Sequence, residues 1–200
     1  MTLKDLAALA MDTLRDPRGT GERLIALNLN LPVLWTALAL ASVLSALLFS
    51  VNMRMVRLNS ENLSQDISLH GLFNNPILYA VVLAGGMVIS MHLLTWMGTM
   101  LGGRGSLAEV TVLLVWLQYL RLAAQAGLLL LTMIMPPLGM MATIVVAFYS
   151  LWLLLNFLDV AHRFGSLAKA LVVLLMTAVG IVVGLSFLLA LIGVPATEMS

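Results

Sequence analysis

VTVLLVWLQYLRLAAQAGLLLLTMIM, residues Val110 to Met135, is an apolar run with one charge, Arg121, near its middle. A helix needs about 20 predominantly apolar residues to cross the roughly 30 Å of hydrocarbon in a bilayer, and this run is long enough. Four other stretches of the chain satisfy the same criterion. The five predicted spans lie at about residues 32–52, 77–101, 108–134, 138–160 and 167–193.

The composition agrees with a protein whose solvent is lipid. Of the 200 residues, 62% are hydrophobic and 10% are charged, and the mean hydropathy is +1.07, far from the balance of a soluble domain. The net charge of +1 indicates no nucleic-acid partner, and the lack of cysteine excludes disulfides. The sequence predicts an all-α, polytopic membrane helix bundle over residues 31–200, with no second folded domain.

The distribution of basic residues predicts the orientation of this bundle. Cytoplasmic loops of membrane proteins carry an excess of Lys and Arg. With the N-terminus in the cytoplasm, two basic residues fall outside, Arg54 and Arg57, and seven fall inside: Lys4, Arg15, Arg18, Arg23, Arg104, Arg163 and Lys169. We therefore expect a cytoplasmic N-terminus, a C-terminus outside and, as the location, the cytoplasmic (inner) membrane of a bacterium.

Residues 1–30 precede the first span and have an amphipathic pattern of their own. One helical face carries Leu3, Leu6, Ala7, Ala10 and Leu14, and the opposite face carries Lys4, Asp5, Asp12 and Arg15. The pattern predicts an interfacial helix that ends at Asp16-Pro17. Two placements stay open: the helix lies against anionic headgroups, or it packs on the cytoplasmic ends of the bundle.

A repeat appears when the chain is shifted by sixty residues. Gly105-Ser106-Leu107-Ala108 then aligns with Gly165-Ser166-Leu167-Ala168, each at a turn that leads into a span. The second and third spans therefore resemble a hairpin that recurs, in the same orientation, as the fourth and fifth. In the first turn, Ser106 and Glu109 have the spacing of a capping box; in the second, Ser166 repeats the cap, but Lys169 replaces the acid.

Four segments together resemble a known family. They are TLRDPR (Thr13–Arg18), LPVLWTALAL (Leu31–Leu40), LGGRGSLAEV (Leu101–Val110) and the G-S-x-x-K-A turn (Gly165–Ala170). In this order the chain is similar to the bacterial branch of the Yip family, the Ypt/Rab-interacting membrane proteins. The resemblance implies a cytoplasmic N-terminus and, from the eukaryotic members, a role in membrane traffic. Relatives often carry a proline midway along the third span, where this chain has Tyr119-Leu120-Arg121.

Catalytic motifs and cofactor sites are not evident in the sequence. The three histidines, His70, His92 and His162, are far apart, and neither a HExxH nor a GxSxG motif is present. We expect no enzymatic activity and no cofactor. Several methionines gather near the predicted outer face, where thioethers could bind Cu(I) together with His70 or could simply fill space between helices: Met53, Met55, Met133, Met135, Met140 and Met141.

Arg121 belongs to a polar stripe on the third predicted span. Thr111, Gln118, Gln125 and Thr132 recur every seven residues and share one helical face with it. Such a stripe should face the bundle interior, because lipid offers a charge no partner. His92 and Tyr149 fall at a similar depth, so we expect a buried polar cluster of Arg121, Gln118, Gln125, His92 and Tyr149.

Three roles are open for such a cluster: it could fix the helix register, receive a membrane protein or lipid headgroup, or form part of a permeation path. We expect a non-enzymatic, Yip-like membrane protein that acts through protein or lipid interactions, as an adaptor in membrane organisation or trafficking or as a subunit of a membrane complex. Its expected partners are membrane lipids and a membrane protein or a second copy. The alternative is a small-solute or metal-ion transporter that uses the polar cluster around Arg121.

Overall fold

The computed structural model describes residues 3–59 and 75–191, and all regular structure within those ranges is helical. Its elements are α1 (Leu3–Arg15), α2 (Pro17–Ala26), α3 (Leu31–Asn59), α4 (Pro76–Met100), α5 (Leu107–Ile134), α6 (Pro136–His162) and α7 (Leu167–Leu191). Helices α3 to α7 are each long and apolar enough to cross a membrane. The predicted all-α fold with five membrane spans is confirmed.

Prolines and short polar side chains set several helix boundaries. Asn75 precedes Pro76, and its side-chain oxygen accepts hydrogen bonds from the backbone N–H groups of Ile77 and Leu78, which starts α4. Asp16 precedes Pro17 and accepts from the N–H of Gly19 at 3.0 Å. The Asp-Pro pair therefore ends α1, as predicted, and also starts α2, a helix that the sequence analysis did not predict.

Burial is concentrated at one end of the bundle. The buried part of α5 runs from Val110 to Gln118, next to the turn that begins the helix, and the buried residues of α6 other than Gly139 lie in its last ten residues. The other ends of these helices are more exposed: Ile134 of α5 is 78% exposed and Met140 of α6 is 69% exposed. The bundle is thus tightly packed near the turns at residues 101–106 and 163–166 and loosely packed near its opposite end.

The pairing of helices agrees with the repeated hairpin. Helix α5 packs against α6, and α4 packs against α7, while α4–α5 and α6–α7 form the two hairpins themselves. A twofold axis along the membrane normal would exchange the hairpins and would map the α5–α6 contact onto the α7–α4 contact. Helix α3 packs against α4 and α5 and is the additional span.

The N-terminal helices dock on the tightly packed part of the bundle. Helix α2 packs against α5 and α6, and Arg18 donates a 2.6 Å hydrogen bond to Asp159. The indole N–H of Trp116 donates to the hydroxyl of Thr13 at 3.0 Å. Helix α1 keeps Leu6, Met11 and Leu14 exposed. The two placements left open concerned α1: its C-terminal end contacts the bundle through Thr13, while its apolar residues Leu6, Met11 and Leu14 stay exposed. Helix α2, which was not predicted, packs on the bundle.

Candidate functional site

A cavity of about 350 Å³ lies beside Arg121, towards the loosely packed end of the bundle. Helices α3, α4, α5 and α6 all contribute to its wall. Its polar residues are Ser45, Asn52, Tyr79, Gln118, Arg121, Gln125, Thr132 and Thr143, and Leu48, Phe49, Leu83, Leu128 and Leu129 complete it. We call this space the Arg121 cavity.

Helical geometry explains why one stripe of α5 provides half of these polar groups. Gln118, Gln125 and Thr132 are seven residues apart, or nearly two full turns, and Arg121 lies on the same face. All four line the cavity. Thr111 begins the stripe but lies in the tightly packed part, where it is fully buried and its hydroxyl lacks a hydrogen-bond partner in the described structure. The side chains of the stripe are therefore buried near the start of α5 and line the cavity further along the helix.

Gln118 and Arg121 differ in how their donors are used. Gln118 is buried, and its amide donates a hydrogen bond to the hydroxyl of Ser45 at 3.1 Å, which joins α5 to α3. Arg121 is exposed to the cavity. Within residues 3–59 and 75–191, it forms no ion pair with an acidic side chain. The amide thus performs a structural role, whereas the guanidinium is left with unused donors.

Arg121 also borders two further cavities. One, of about 380 Å³, lies between α5 and α6 and includes Gln125, Thr143 and Ser150. The other, of about 250 Å³, is lined from α4, α5, α6 and α7 and includes Ser90, Gln118 and Thr177. The guanidinium of Arg121 therefore lies at the junction of three cavities, a position that the linear sequence cannot indicate.

His92 does not join Arg121 as predicted. Its ring stacks on that of Trp35, with centroids 6.4 Å apart, and its Nδ1 lies 2.8 Å from the carbonyl oxygen of Val88. The prediction counted depth along α4, but depth does not define the direction in which a side chain leaves the helix. His92 faces α3 and contributes to the α3–α4 contact instead.

Tyr149 is also engaged elsewhere. Its hydroxyl donates a 2.5 Å hydrogen bond to the carbonyl oxygen of Leu14, and its ring contacts Trp152. Tyr149 thus holds the end of α1 against α6. The predicted five-residue cluster is corrected to Arg121, Gln118 and Gln125, extended by Ser45, Asn52, Tyr79, Thr132 and Thr143. It is also less buried than predicted, since Arg121 and Gln125 are both exposed.

The two Gly-Ser turns are joined to each other. Ser106 accepts from the N–H of Glu109, and the Glu109 carboxylate accepts from the N–H of Ser106, which is the capping box that the sequence predicts. Glu109 also pairs with Arg163 at 2.5 Å, and this hydrogen bond raises the pKa of the Arg163 guanidinium. At the second turn, the N–H of Ser166 donates to the carboxylate of Asp159 at 2.8 Å.

His162, which the sequence analysis named only as one of three separate histidines, is buried between these turns. His162 is 1% exposed, and its Nδ1 lies 3.1 Å from the carbonyl oxygen of Leu158. A Cβ atom on Gly98 would lie 2.0 Å from Nε2 of this ring, and one on Gly103 would lie 2.8 Å from its Cδ2. These glycines provide the space that the imidazole occupies. The signal in the sequence is the GGRGS motif, which indicated a turn but not the ring packed against it.

The methionine hypothesis gains no support from the described residues. Within them, no group of three or more His, Asp or Glu side chains is placed to hold a metal ion. Met133, Met135, Met140 and Met141 are all exposed. His70 lies outside the described residues, so binding of Cu(I) there stays a prediction.

Comparison with known proteins agrees with the order of these elements. The family model described as the Yip1 domain matches residues 11–188, from α1 to the last turns of α7. No curated protein and no solved structure matches the chain. Members of this family are membrane-associated proteins. The chain agrees with this, because five of its helices are long and apolar enough to cross a membrane. The resemblance is thus confirmed at the level of the family, while the bacterial branch stays a prediction, and the chain belongs to the Yip1 domain family.

Proposed function

We propose that this protein is a non-enzymatic membrane adaptor that acts through interactions with lipids or other membrane proteins, and that these interactions centre on the Arg121 cavity. One observation carries the proposal. A guanidinium group lines a polar cavity within a membrane bundle, and no acidic side chain of the described residues pairs with it. Because an unpaired charge is costly in the membrane, ionisable residues there commonly mark functional sites.

A purely structural role explains this arrangement less well. A structural arginine would direct its five N–H donors at carboxylates or carbonyl groups of neighbouring helices. The hydrogen bonds between α3 and α5 are instead donated by Gln118 to Ser45 and by Tyr119 to the carbonyl oxygen of Ala37. Arg121 is therefore available for an anionic or hydrogen-bond-accepting group of another molecule.

We further propose that the protein resides in the inner membrane of a bacterium with its N-terminus in the cytoplasm, as the excess of basic residues on that side indicates. The chain contains no cysteine, so single cysteines can report the side. In intact cells, a membrane-impermeant maleimide should label Met135→Cys and should label Arg104→Cys only after permeabilisation. The reverse pattern would show the opposite orientation.

Loss of the Arg121 charge should remove a bound component without unfolding the bundle. We expect Arg121→Leu, purified in a mild detergent, to retain its elution volume but lose at least one lipid or protein that mass spectrometry finds with the unsubstituted protein. Arg104→Leu is the matched control, since Arg104 is exposed in a turn and its contacts shown here are made by its backbone. Identical co-purifying components in all three preparations would contradict the proposal.

The second candidate function is transport of a small solute. It is favoured by the position of Arg121 at the junction of three cavities. A guanidinium repels cations, so a small anion fits this wall better than a metal ion does. If the protein is a transporter, liposomes containing it should show anion flux that Arg121→Leu abolishes; unchanged flux across protein-free and protein-containing liposomes would remove this candidate.

A further inference from the structure

We infer that the Arg121 cavity and the neighbouring cavity of about 380 Å³ between α5 and α6, called the crevice below, form a single binding site for a phospholipid with an anionic headgroup. The phosphate would bind to Arg121, and the acyl chains would lie in the crevice. This inference rests on the proposed function and names the class of ligand. Three observations support it: the chemistry of the donors, the size of the cavity and the apolar surface next to it.

Among the described residues, the polar wall provides several donors and contains no acid. Arg121 contributes a guanidinium, and Gln125 and Asn52 contribute amides. The hydroxyls of Thr132 and Thr143 donate to the carbonyl oxygens of Leu128 and Gly139 in their own helices and add polarity but no free donor. Within residues 3–59 and 75–191, no Asp or Glu lines any of the three cavities that Arg121 borders. One permanent cation surrounded by neutral donors matches a phosphodiester, which has one negative charge and several acceptor oxygens.

The dimensions select a headgroup over a protein helix. A helix with its side chains is about 10 Å across, so a transmembrane partner cannot enter a space of about 350 Å³. A phosphate with a small polar substituent is compact enough to do so. The polar lining also continues towards the open end of the bundle through Asn52 and Thr132, which gives a charged group a polar route of entry.

The adjoining crevice provides an apolar surface, which a lipid would contact and a free anion would not. The cavity between α5 and α6 has a volume of about 380 Å³ and shares Arg121, Gln125, Leu128 and Thr143 with the Arg121 cavity. It continues along apolar residues of both helices: Leu117, Val146, Ala147, Leu151 and Leu154. A polar cavity that opens onto an apolar crevice is complementary to an amphiphile. This continuity favours a lipid over inorganic phosphate.

The depth of Arg121 has a consequence for the bound lipid. Arg121 is fourteen residues beyond Leu107, or about 21 Å along a helix of about 42 Å. A phosphate bound there lies deeper than the headgroup layer, and the guanidinium and amides replace the water that it leaves. The protein would therefore hold one lipid out of register with its neighbours, which is a means of acting on the membrane itself.

The full-length protein in mild detergent can be tested by native mass spectrometry with phosphatidylglycerol as the probe. We expect one bound phosphatidylglycerol, displaced poorly by inorganic phosphate and not replaced by diacylglycerol, which lacks the phosphate. Arg121→Gln should bind about tenfold more weakly or worse, the effect of losing a charge-assisted hydrogen bond. Arg121→Lys should retain part of the affinity, and Arg104→Gln all of it.

A variant that leaves Arg121 in place guards against misfolding. Ala147→Trp fills the crevice while the guanidinium remains, so phosphatidylglycerol should bind more weakly, whereas the weak binding of inorganic phosphate should equal that of the unsubstituted protein. Equal binding of phosphatidylglycerol by the unsubstituted protein, Arg121→Gln and Ala147→Trp would overturn the inference. Efficient displacement by inorganic phosphate would show a free-anion site instead. Loss of a co-purifying protein, but of no lipid, from Arg121→Leu would overturn the lipid assignment and leave the proposed function standing.

Discussion

Gly98→Ala is expected to lower the unfolding temperature of the protein by about 5–10 °C, corresponding to about 2–3 kcal/mol for a chain of this size. The added Cβ would lie 2.0 Å from Nε2 of His162, whereas van der Waals contact requires well over 3 Å. The imidazole cannot move away, because it is 1% exposed and also lies against Gly103 and Gly105. The measurement is thermal unfolding of the purified protein in detergent.

The same helix provides a matched control. A Cβ on Gly85 would meet nothing within 4 Å, so Gly85→Ala should be neutral or stabilising by up to about 1 kcal/mol through helix propensity. Adding His162→Ala to Gly98→Ala should relieve the overlap, so the double variant should be more stable than the two separate effects predict. An unfolding temperature for Gly98→Ala equal to that of Gly85→Ala would show that His162 does not occupy this space.

Asp159→Ala is expected to release the N-terminal helices from the bundle. The buried carboxylate accepts hydrogen bonds from Arg18 at 2.6 Å and from the N–H of Ser166 at 2.8 Å. The side chain of Arg18 is 49% exposed, so water can hydrate its guanidinium when the carboxylate is removed. The N–H of Ser166 lies at the start of α7 and would lose its carboxylate partner. We estimate a cost of about 2 kcal/mol, chiefly from these two hydrogen bonds to a charged group.

A single cysteine can report the release. Thr20 is 1% exposed in the interface between α2 and the bundle, so Thr20→Cys should react with maleimide at least about tenfold faster when Asp159→Ala is also present. Asp12→Ala is the control, because the pair of Asp12 with Arg23 lies on the surface and contributes little. Asp159→Asn keeps the acceptor for Ser166 and should be intermediate. Equal reaction rates in all these backgrounds would show that Asp159 does not hold α2 in place.

Features that are encoded locally could be predicted from the sequence. The spans follow from the length of apolar runs, and the Ser106–Glu109 capping box follows from a spacing of three residues. The heptad spacing of Gln118 and Gln125 likewise placed them on the face of α5 that carries Arg121. Each of these inferences uses only the rise and the turn of one helix.

Features that depend on how helices rotate against one another could not be predicted. His92 and Tyr149 have the predicted depth but leave their helices in other directions, towards Trp35 and Leu14. The pairing of Arg18 with Asp159 joins positions 141 residues apart, and no periodicity along the chain encodes it. The cavity itself arises because packing loosens along α5, which is a property of the assembled bundle.

The most direct test of the Arg121 cavity is an experimental structure of the full-length protein in nanodiscs that contain phosphatidylglycerol. We expect density for one phosphate within about 3 Å of the Arg121 guanidinium, continuous with acyl chains between α5 and α6. A guanidinium that pairs with an acidic side chain of the protein, or a cavity that holds only water, would contradict it.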